Sequence, residues 1–463
     1  MTSVSHHKIN PFSAGNGKRS TVFTPARIIC FSFLAVIMIG TFLLCLPISS
    51  KSGTFTPLIN SIFTATSGTC VTGLVVYDTF THWSIFGQVV ILMLIQVGGL
   101  GLVTLTTFFM LLFKQRIGLS SMTLAQESAG SDTLVNLYSL IKLVVLSTLT
   151  IEMTGAVILA TRFIPKYGAT GIWISVFTAI SAYCNAGFDL LGREGKYSSL
   201  VHYADDPIVC ITVMLLIVIG GLGFIVFQDV LSYKKSRKMM LHTKTVLFIS
   251  ALLIVSGALL VFINEFTNPH TLKNLPMWQK IMASFFQSIT TRTAGFNTLN
   301  QADLRDPTKV ISAMLMFIGA APGSTGGGIK VTTFMVLAMT VISTLRNKTE
   351  TTIMHRKVNH AVVYKSLTIV TLGVIVVAIG TSVLIVENGY NMIDCLFETV
   401  SAFATVGLSS GITPRLGDFS KTALILCMYI GRCGSFSFVM AITLRQAYSP
   451  KKLILPEGQV FVG

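Results

Sequence analysis

Charge is what this sequence lacks: only 11% of its 463 residues are Asp, Glu, Lys or Arg. A soluble chain carries roughly 25%, so too few charges remain here to cover a globular surface. An ordinary water-soluble enzyme is excluded on that ground. Metal and redox spacing is missing as well. The eight cysteines (positions 30, 45, 70, 184, 210, 395, 427 and 433) form no CxxC pair and lie mostly in apolar runs, where a thiol packs as a small apolar group. The eight histidines show no ligand spacing. Acid is scarce too, with 18 Asp and Glu against 34 Lys and Arg for a net charge of +16.

What is present is apolar: 52% of residues are hydrophobic and the mean hydropathy is +0.73. The expected fold is an all-α polytopic membrane protein. Long apolar segments cover 26–46, 88–113, 138–163, 207–231, 245–263, 310–320, 331–345, 361–386 and 422–444. Most approach the roughly 20 residues that cross a bilayer as a helix. Four shorter stretches, at 58–66, 172–181, 278–290 and 392–404, cannot span and suit half-helices that enter the membrane and turn back. The opening basic residues precede an apolar stretch too long for a signal peptide, so it reads as a retained first helix. With the short stretches re-entrant, one set of loops gathers 20 Lys and Arg and the other set 11, while Arg292, Lys330 and Arg432 fall within the membrane. The positive-inside rule then places both termini in the cytoplasm of a cell membrane. The net charge becomes an orientation signal and no longer suggests nucleic acid.

The four short stretches align without gaps, each with Phe ten residues before a glycine: Phe63 and Gly73, Phe177 and Gly187, Phe285 and Gly295, Phe397 and Gly407. Such regular repetition is a fold-level signal. It divides the chain into a tail at 1–25, repeats at 26–113, 114–233, 234–345 and 346–445, and a tail at 446–463. Each repeat is expected to hold a spanning helix, a half-helix, a glycine loop and a second spanning helix, giving eight spans and four pore helices around one pore. A half-helix ending at mid-membrane directs its partial negative charge inward and favours a cation there. Glycine permits backbone angles that let successive carbonyls face one axis. Four such loops would ring an ion with oxygens that replace its water. The candidate ion-binding residues are Val71, Thr72, Gly73 and Leu74; Asn185, Ala186, Gly187 and Phe188; Thr293, Ala294, Gly295 and Phe296; and Thr405, Val406, Gly407 and Leu408.

The CVTGL, CNAGF, RTAGF and TVGLSSGITP segments that carry these residues resemble the Ktr/Trk/HKT superfamily of potassium-uptake proteins, closest to the membrane subunit of bacterial Ktr systems. The likeness runs from Arg27 to the C-terminus. It implies potassium as the transported ion, one pore per chain, a homodimer and a cytoplasmic ring of nucleotide-binding regulatory subunits. The chain shows no nucleotide-binding domain of its own, so a nucleotide would belong to that partner and no cofactor to this chain. Basic segments such as 234–238 would suit the partner or anionic lipid.

The second helix of repeat three is interrupted by Ala321–Lys330, whose proline and glycines cannot hold a regular helix. The GGLG sequences at 98–101 and 220–223 are expected to leave the corresponding helices intact. The interruption is no phosphate-binding loop, because Ile329 stands where that motif needs Lys. Gly323, Ser324, Thr325, Gly326, Gly327, Gly328 and Lys330 are instead candidate gate residues beneath the glycine loops, and the resemblance implies an intramembrane loop there. Arg432 should lie level with it, holding loop carbonyls and repelling cations. A rigid kink that merely packs helices is the plainer reading. Glu152 and Arg292 are a candidate ion pair, and Asp78 and Asp189 candidate cation attractors at the mouth. A sodium- or proton-coupled secondary transporter is the alternative mechanism, although four parallel repeats favour a pore. A membrane enzyme lacks the clustered His, Cys or carboxylate groups it would need.

Overall fold

The computed structural model describes residues 25–101, 137–348, 350–354, 356–435 and 438. The two tails, the 102–136 segment and the end of the fourth repeat's second helix lie outside the described residues. Four helices are long and apolar enough to cross a membrane: α1 Pro25–Cys45, α5 Leu137–Tyr167, α9 Leu241–Glu265 and α13 His360–Asn388. Each expected half-helix is a helix of 12 to 14 residues: α2 Leu58–Thr69, α6 Thr170–Tyr183, α10 Met277–Thr290 and α14 Met392–Phe403. One long and one short helix therefore open each repeat. Phe42, Met153, Ile263 and Val386, one on each long helix, are large apolar side chains left exposed. Water would penalise that belt; hydrocarbon does not.

The second helices depart from the expectation of unbroken rods. After the one-turn helix α3 Thr79–His82, α4 Ile85–Leu100 stops at Gly101, whose φ is +81°. α7 Pro207–Gly221 turns by 97° into α8 Phe224–Ser236 across Gly223, at φ +92°. α11 Asp306–Phe317 and α12 Val331–Leu345 flank the interruption foreseen from the sequence. α15 Asp418–Cys433 stops at Gly434, at φ +83°. Among the described residues no second helix runs on through its glycines, and the GGLG sequences are where the first two stop or turn. The cause is local: the last glycine of each G-x-x-G adopts a left-handed angle that a side chain would resist. Its first glycine lies tight against the preceding short helix, since a Cβ built on Gly98, Gly220 or Gly431 would lie 2.0, 2.0 or 1.8 Å from the carbonyl oxygen of Thr69, Tyr183 or Phe403.

Packing closes the four repeats into a ring. In repeats one, two and four the short helix packs against both the long helix and the second helix, whereas in repeat three α10 and α11 both pack on the long helix α9. Between repeats, α4 packs on α6, α7 on α10, α11 on α14 and α15 on α2, so the fourth repeat meets the first. A short antiparallel pair, Thr352–Ile353 with Arg356–Lys357, lies between α12 and α13. The main core is centred on the loops that follow the short helices: Val71, Leu74, Ala186, Phe188, Ala294, Phe296, Val406 and Leu408 all belong to it. Those loops are buried at the centre of the ring.

Candidate functional site

The short helices end at caps Cys70, Cys184, Thr291 and Ala404, just before their glycines. The backbone then turns left-handed at Val71, Asn185, Thr293 and Thr405, with φ of 57, 60, 69 and 53°. Two residues on, Gly73, Gly187, Gly295 and Gly407 are also left-handed, with φ of 95, 70, 81 and 91°. For β-branched Val and Thr this is a true outlier costing about 1–3 kcal/mol each. A strained conformation repeated four times at equivalent positions is imposed by the fold.

The glycines meet each other in chain order. A Cβ built on Gly73 would lie 2.3 Å from the Ala186 carbonyl oxygen, and one on Gly187 would lie 2.8 Å from that of Ala294. One on Gly295 would lie 2.4 Å from the Val406 oxygen, and one on Gly407 would lie 2.1 Å from the Thr72 oxygen. The last contact closes the circle. No side chain fits anywhere in it.

Donors and acceptors are sorted to opposite sides. The N–H groups of Thr72, Ala186 and Val406 donate back to the carbonyls of Ser67, Ser181 and Ser401 at 2.8, 2.7 and 2.8 Å. Gly73 and Gly407 donate to the hydroxyls of Ser67 and Ser401 at 3.0 Å. The carbonyls of Thr72, Ala186, Ala294 and Val406 accept no hydrogen bond among the described residues. Buried carbonyls are seldom left so. Here four of them lie side by side, each against the glycine of the neighbouring loop.

On one side of the circle a cavity of about 380 Å³ touches all four glycines and is lined also by Asp189 and Lys196. Burial pushes the Asp189 carboxyl up to about 7, with the Leu191 N–H opposing and the Asp78 charge adding. On the other side lies the 318–330 loop. A Cβ on Gly326 would lie 2.1 Å from the Thr293 hydroxyl, and Gly327 donates its N–H to the Thr405 hydroxyl at 3.0 Å. The loop is tied to the second repeat as well: Thr325 Oγ1 donates to the Gly220 carbonyl at 3.2 Å, and Phe224 N donates to the Gly323 carbonyl at 2.8 Å. Gly323 and Gly328 are left-handed, and Ser324 Oγ donates to the Ala321 carbonyl at 2.6 Å. Lys330 Nζ bonds to the Gly326 carbonyl at 2.6 Å and so turns inward, away from any interface. The half-buried Arg432 guanidinium donates to the carbonyls of Thr325 in the loop and Gly98 at the end of α4. It joins repeats one, three and four.

Other charged groups fall elsewhere than expected. Glu152 and Arg292 do not pair. The Glu152 carboxylate accepts from Gln96 Nε2 at 3.2 and 3.3 Å and from Cys184 Sγ at 3.7 Å, whereas Arg292 Nη1 donates to the Ser250 carbonyl at 3.0 Å. They face opposite neighbours, α4 and α9. Asp78 is buried, accepting from the N–H groups of Thr81 and Tyr197 at 2.8 and 3.1 Å, so it ties two loops and does not line the mouth. The serines behind the glycines are a signal present in the aligned repeats, where Ser67, Ser181 and Ser401 share one column. Glu398, which no sequence pattern marks, accepts from α14 the N–H of Ser410 at 3.2 Å and the Thr413 hydroxyl, bracing the chain beyond Gly407.

A loop tie away from the ring gives a pH prediction. Glu194 is bonded by Lys166 and the Tyr167 hydroxyl. Burial works against its charge, but these bonds prevail and hold the carboxyl below the usual carboxylate range. A depressed folded value means that the tie stabilises the loop above the unfolded pKa of about 4.3 and is lost as pH falls through the folded value. Hydrogen exchange at residues 190–206, corrected for intrinsic rates, is expected to be slow at pH 7 and to accelerate below about pH 4. Glu194→Gln should exchange fast already at pH 7.

A four-repeat helical membrane protein with a central circle of unpaired carbonyls belongs to the class that passes cations through a lipid bilayer. Comparison places the chain within that class: the TrkH family, described as "Cation transport protein", matches residues 3–451, and the chain belongs to it. It is 40% identical over 444 residues to the Ktr system potassium uptake protein B of Bacillus subtilis, covering 95% of this chain and 97% of that one. It is 37% identical to the protein of the same name from Vibrio alginolyticus, over 99% of both chains. It is 36% identical to the potassium/sodium uptake protein NtpJ of Enterococcus hirae, over 95% of this chain and 97% of that one. These relatives are membrane transporters and not enzymes. The fold matches the crystal structure of the potassium transporter TrkH from Vibrio parahaemolyticus with a TM-score of 0.72 at 17% identity, covering 93% of this chain and 87% of that one.

Proposed function

We propose that the chain carries potassium into the cell through one pore, with the four glycine loops as its selectivity filter and the 318–330 loop as its gate. The observation that carries this reading is the circle of carbonyls at Thr72, Ala186, Ala294 and Val406, buried, unbonded and mutually in contact through the glycines. Oxygens so placed replace an ion's hydration shell at low cost because they are already oriented. The loop fills the space directly beneath, and Arg432 fixes it there, which describes a closed gate. In this reading both termini are cytoplasmic, the eight-span repeat layout holds, and two copies form the working dimer. The names of the Bacillus and Vibrio relatives place them in Ktr systems, and a nucleotide-binding regulatory subunit is the partner proposed here to open the loop.

Uptake of rubidium and sodium tracers by proteoliposomes, each in the presence and absence of the other ion, tests this directly. Rubidium uptake, blocked by external potassium and independent of a sodium or proton gradient, is the expected result. Uptake that stops when the sodium or proton gradient is removed would instead favour the coupled transporter.

A further inference from the structure

Arg292 is buried, one residue before Thr293. A guanidinium has five N–H donors. Among the described residues the side chain makes one bond, from Nη1 to the Ser250 carbonyl at 3.0 Å, and has no carboxylate within ion-pair distance. Beside it the Ser250 hydroxyl is buried without a partner. Both residues line one cavity of about 20 Å³, walled by Ile217, Gly221, Ile254 and Ala320. One water needs a space of about 10–15 Å³ by the same measure, and this space is somewhat larger. Two donor groups thus face a space that fits a single small acceptor.

Charge decides which acceptor. An uncompensated cation in a low-dielectric interior is far costlier than an unpaired polar group, and a water would satisfy the hydrogen bonds but leave the charge. We infer that a small monatomic anion, chloride under cellular conditions, occupies this cavity between α7, α9 and the base of the 318–330 loop, bound by the Arg292 guanidinium and the Ser250 hydroxyl. Its role is a counter-charge: it neutralises a fixed positive group next to the third glycine loop, which would otherwise oppose a cation at the ring. The inference rests on the cavity and its donors, and it stands or falls independently of which cation is transported.

Crystals of the full chain grown in potassium bromide, measured above the bromine absorption edge, test it. The expected result is one anomalous peak in contact with Arg292 and Ser250, absent in Arg292→Met and weakened in Ser250→Ala. In solution, the melting temperature of the wild type should be higher in potassium chloride than in potassium gluconate of equal concentration, and Arg292→Met should lose that difference. If that variant does not fold, Ser250→Ala carries the comparison, with a smaller shift expected. No peak at this site in the wild type overturns the proposal. So does a peak accompanied by no chloride-specific melting shift, which would mean binding at crystal concentration only.

Discussion

Replacing Gly407 with serine is expected to cut the preference for potassium over sodium by at least roughly tenfold, equivalent to about 1.4 kcal/mol of differential coordination. Two effects combine at this position. The backbone angle of +91° is one that a side chain resists, and the new Cβ would lie 2.1 Å from the Thr72 carbonyl oxygen. No side-chain rotamer relieves that contact, because the obstacle is the backbone of the neighbouring repeat. The oxygen must move, and it belongs to the ring. Gly389→Ala supplies the control, since Gly389 is also left-handed, at φ +64°, but has nothing within 4 Å of a built Cβ. It should lose a little stability and no selectivity. Competitive rubidium and sodium uptake measures both variants, and unchanged preference in Gly407→Ser would contradict a filter at this glycine.

The second large effect is expected at Arg432. Its two charge-assisted bonds, to Thr325 and Gly98, hold the loop against the ring from two different repeats. Bonds of this kind are worth about 1.5–3 kcal/mol each. Only the Thr325 bond holds the loop itself, so Arg432→Ala should raise the rubidium uptake rate between about 10- and 100-fold at equal protein level, the equivalent of that one bond. Arg432→Lys separates the two ways in which the residue could act. Lysine keeps the positive charge but has no planar fork with which to reach two carbonyls. Flux close to wild type in the lysine variant would assign the effect to an electrostatic barrier, and flux close to the alanine variant would assign it to the clamp. Unchanged flux in Arg432→Ala would contradict a gate held by this residue.

The elements that carry this account differed in how far they could be read from residues alone. The short helices were legible because length is decisive: a stretch of a dozen apolar residues between polar turns cannot span. The repeated Phe and Gly columns located the loops, yet of the aligned phenylalanines only Phe63, Phe177 and Phe397 are buried; in the third repeat Phe285 is exposed and its neighbour Phe286 is buried instead. The order in which glycines touch, with Gly407 against Thr72, was not legible, since a linear pattern carries no information about which repeat adjoins which. The breaks at Gly101, Gly223 and Gly434 were written in the G-x-x-G sequences. Two glycines in an apolar run equally suit close helix packing, and here the first glycine of each motif packs while the last one breaks. The expected Glu152–Arg292 pair failed for a related reason. Opposite charges in neighbouring repeats say nothing about facing, and Glu152 faces Gln96 across α4 while Arg292 faces α9.

Rubidium anomalous diffraction from crystals of the full chain tests the central claim most directly. The account predicts a strong peak on the ring axis, within coordination distance of the carbonyl oxygens of Thr72, Ala186, Ala294 and Val406, and its loss in Gly407→Ser. Rubidium bound only at acidic side chains such as Asp189 or Glu152, with no density on that axis, would contradict it.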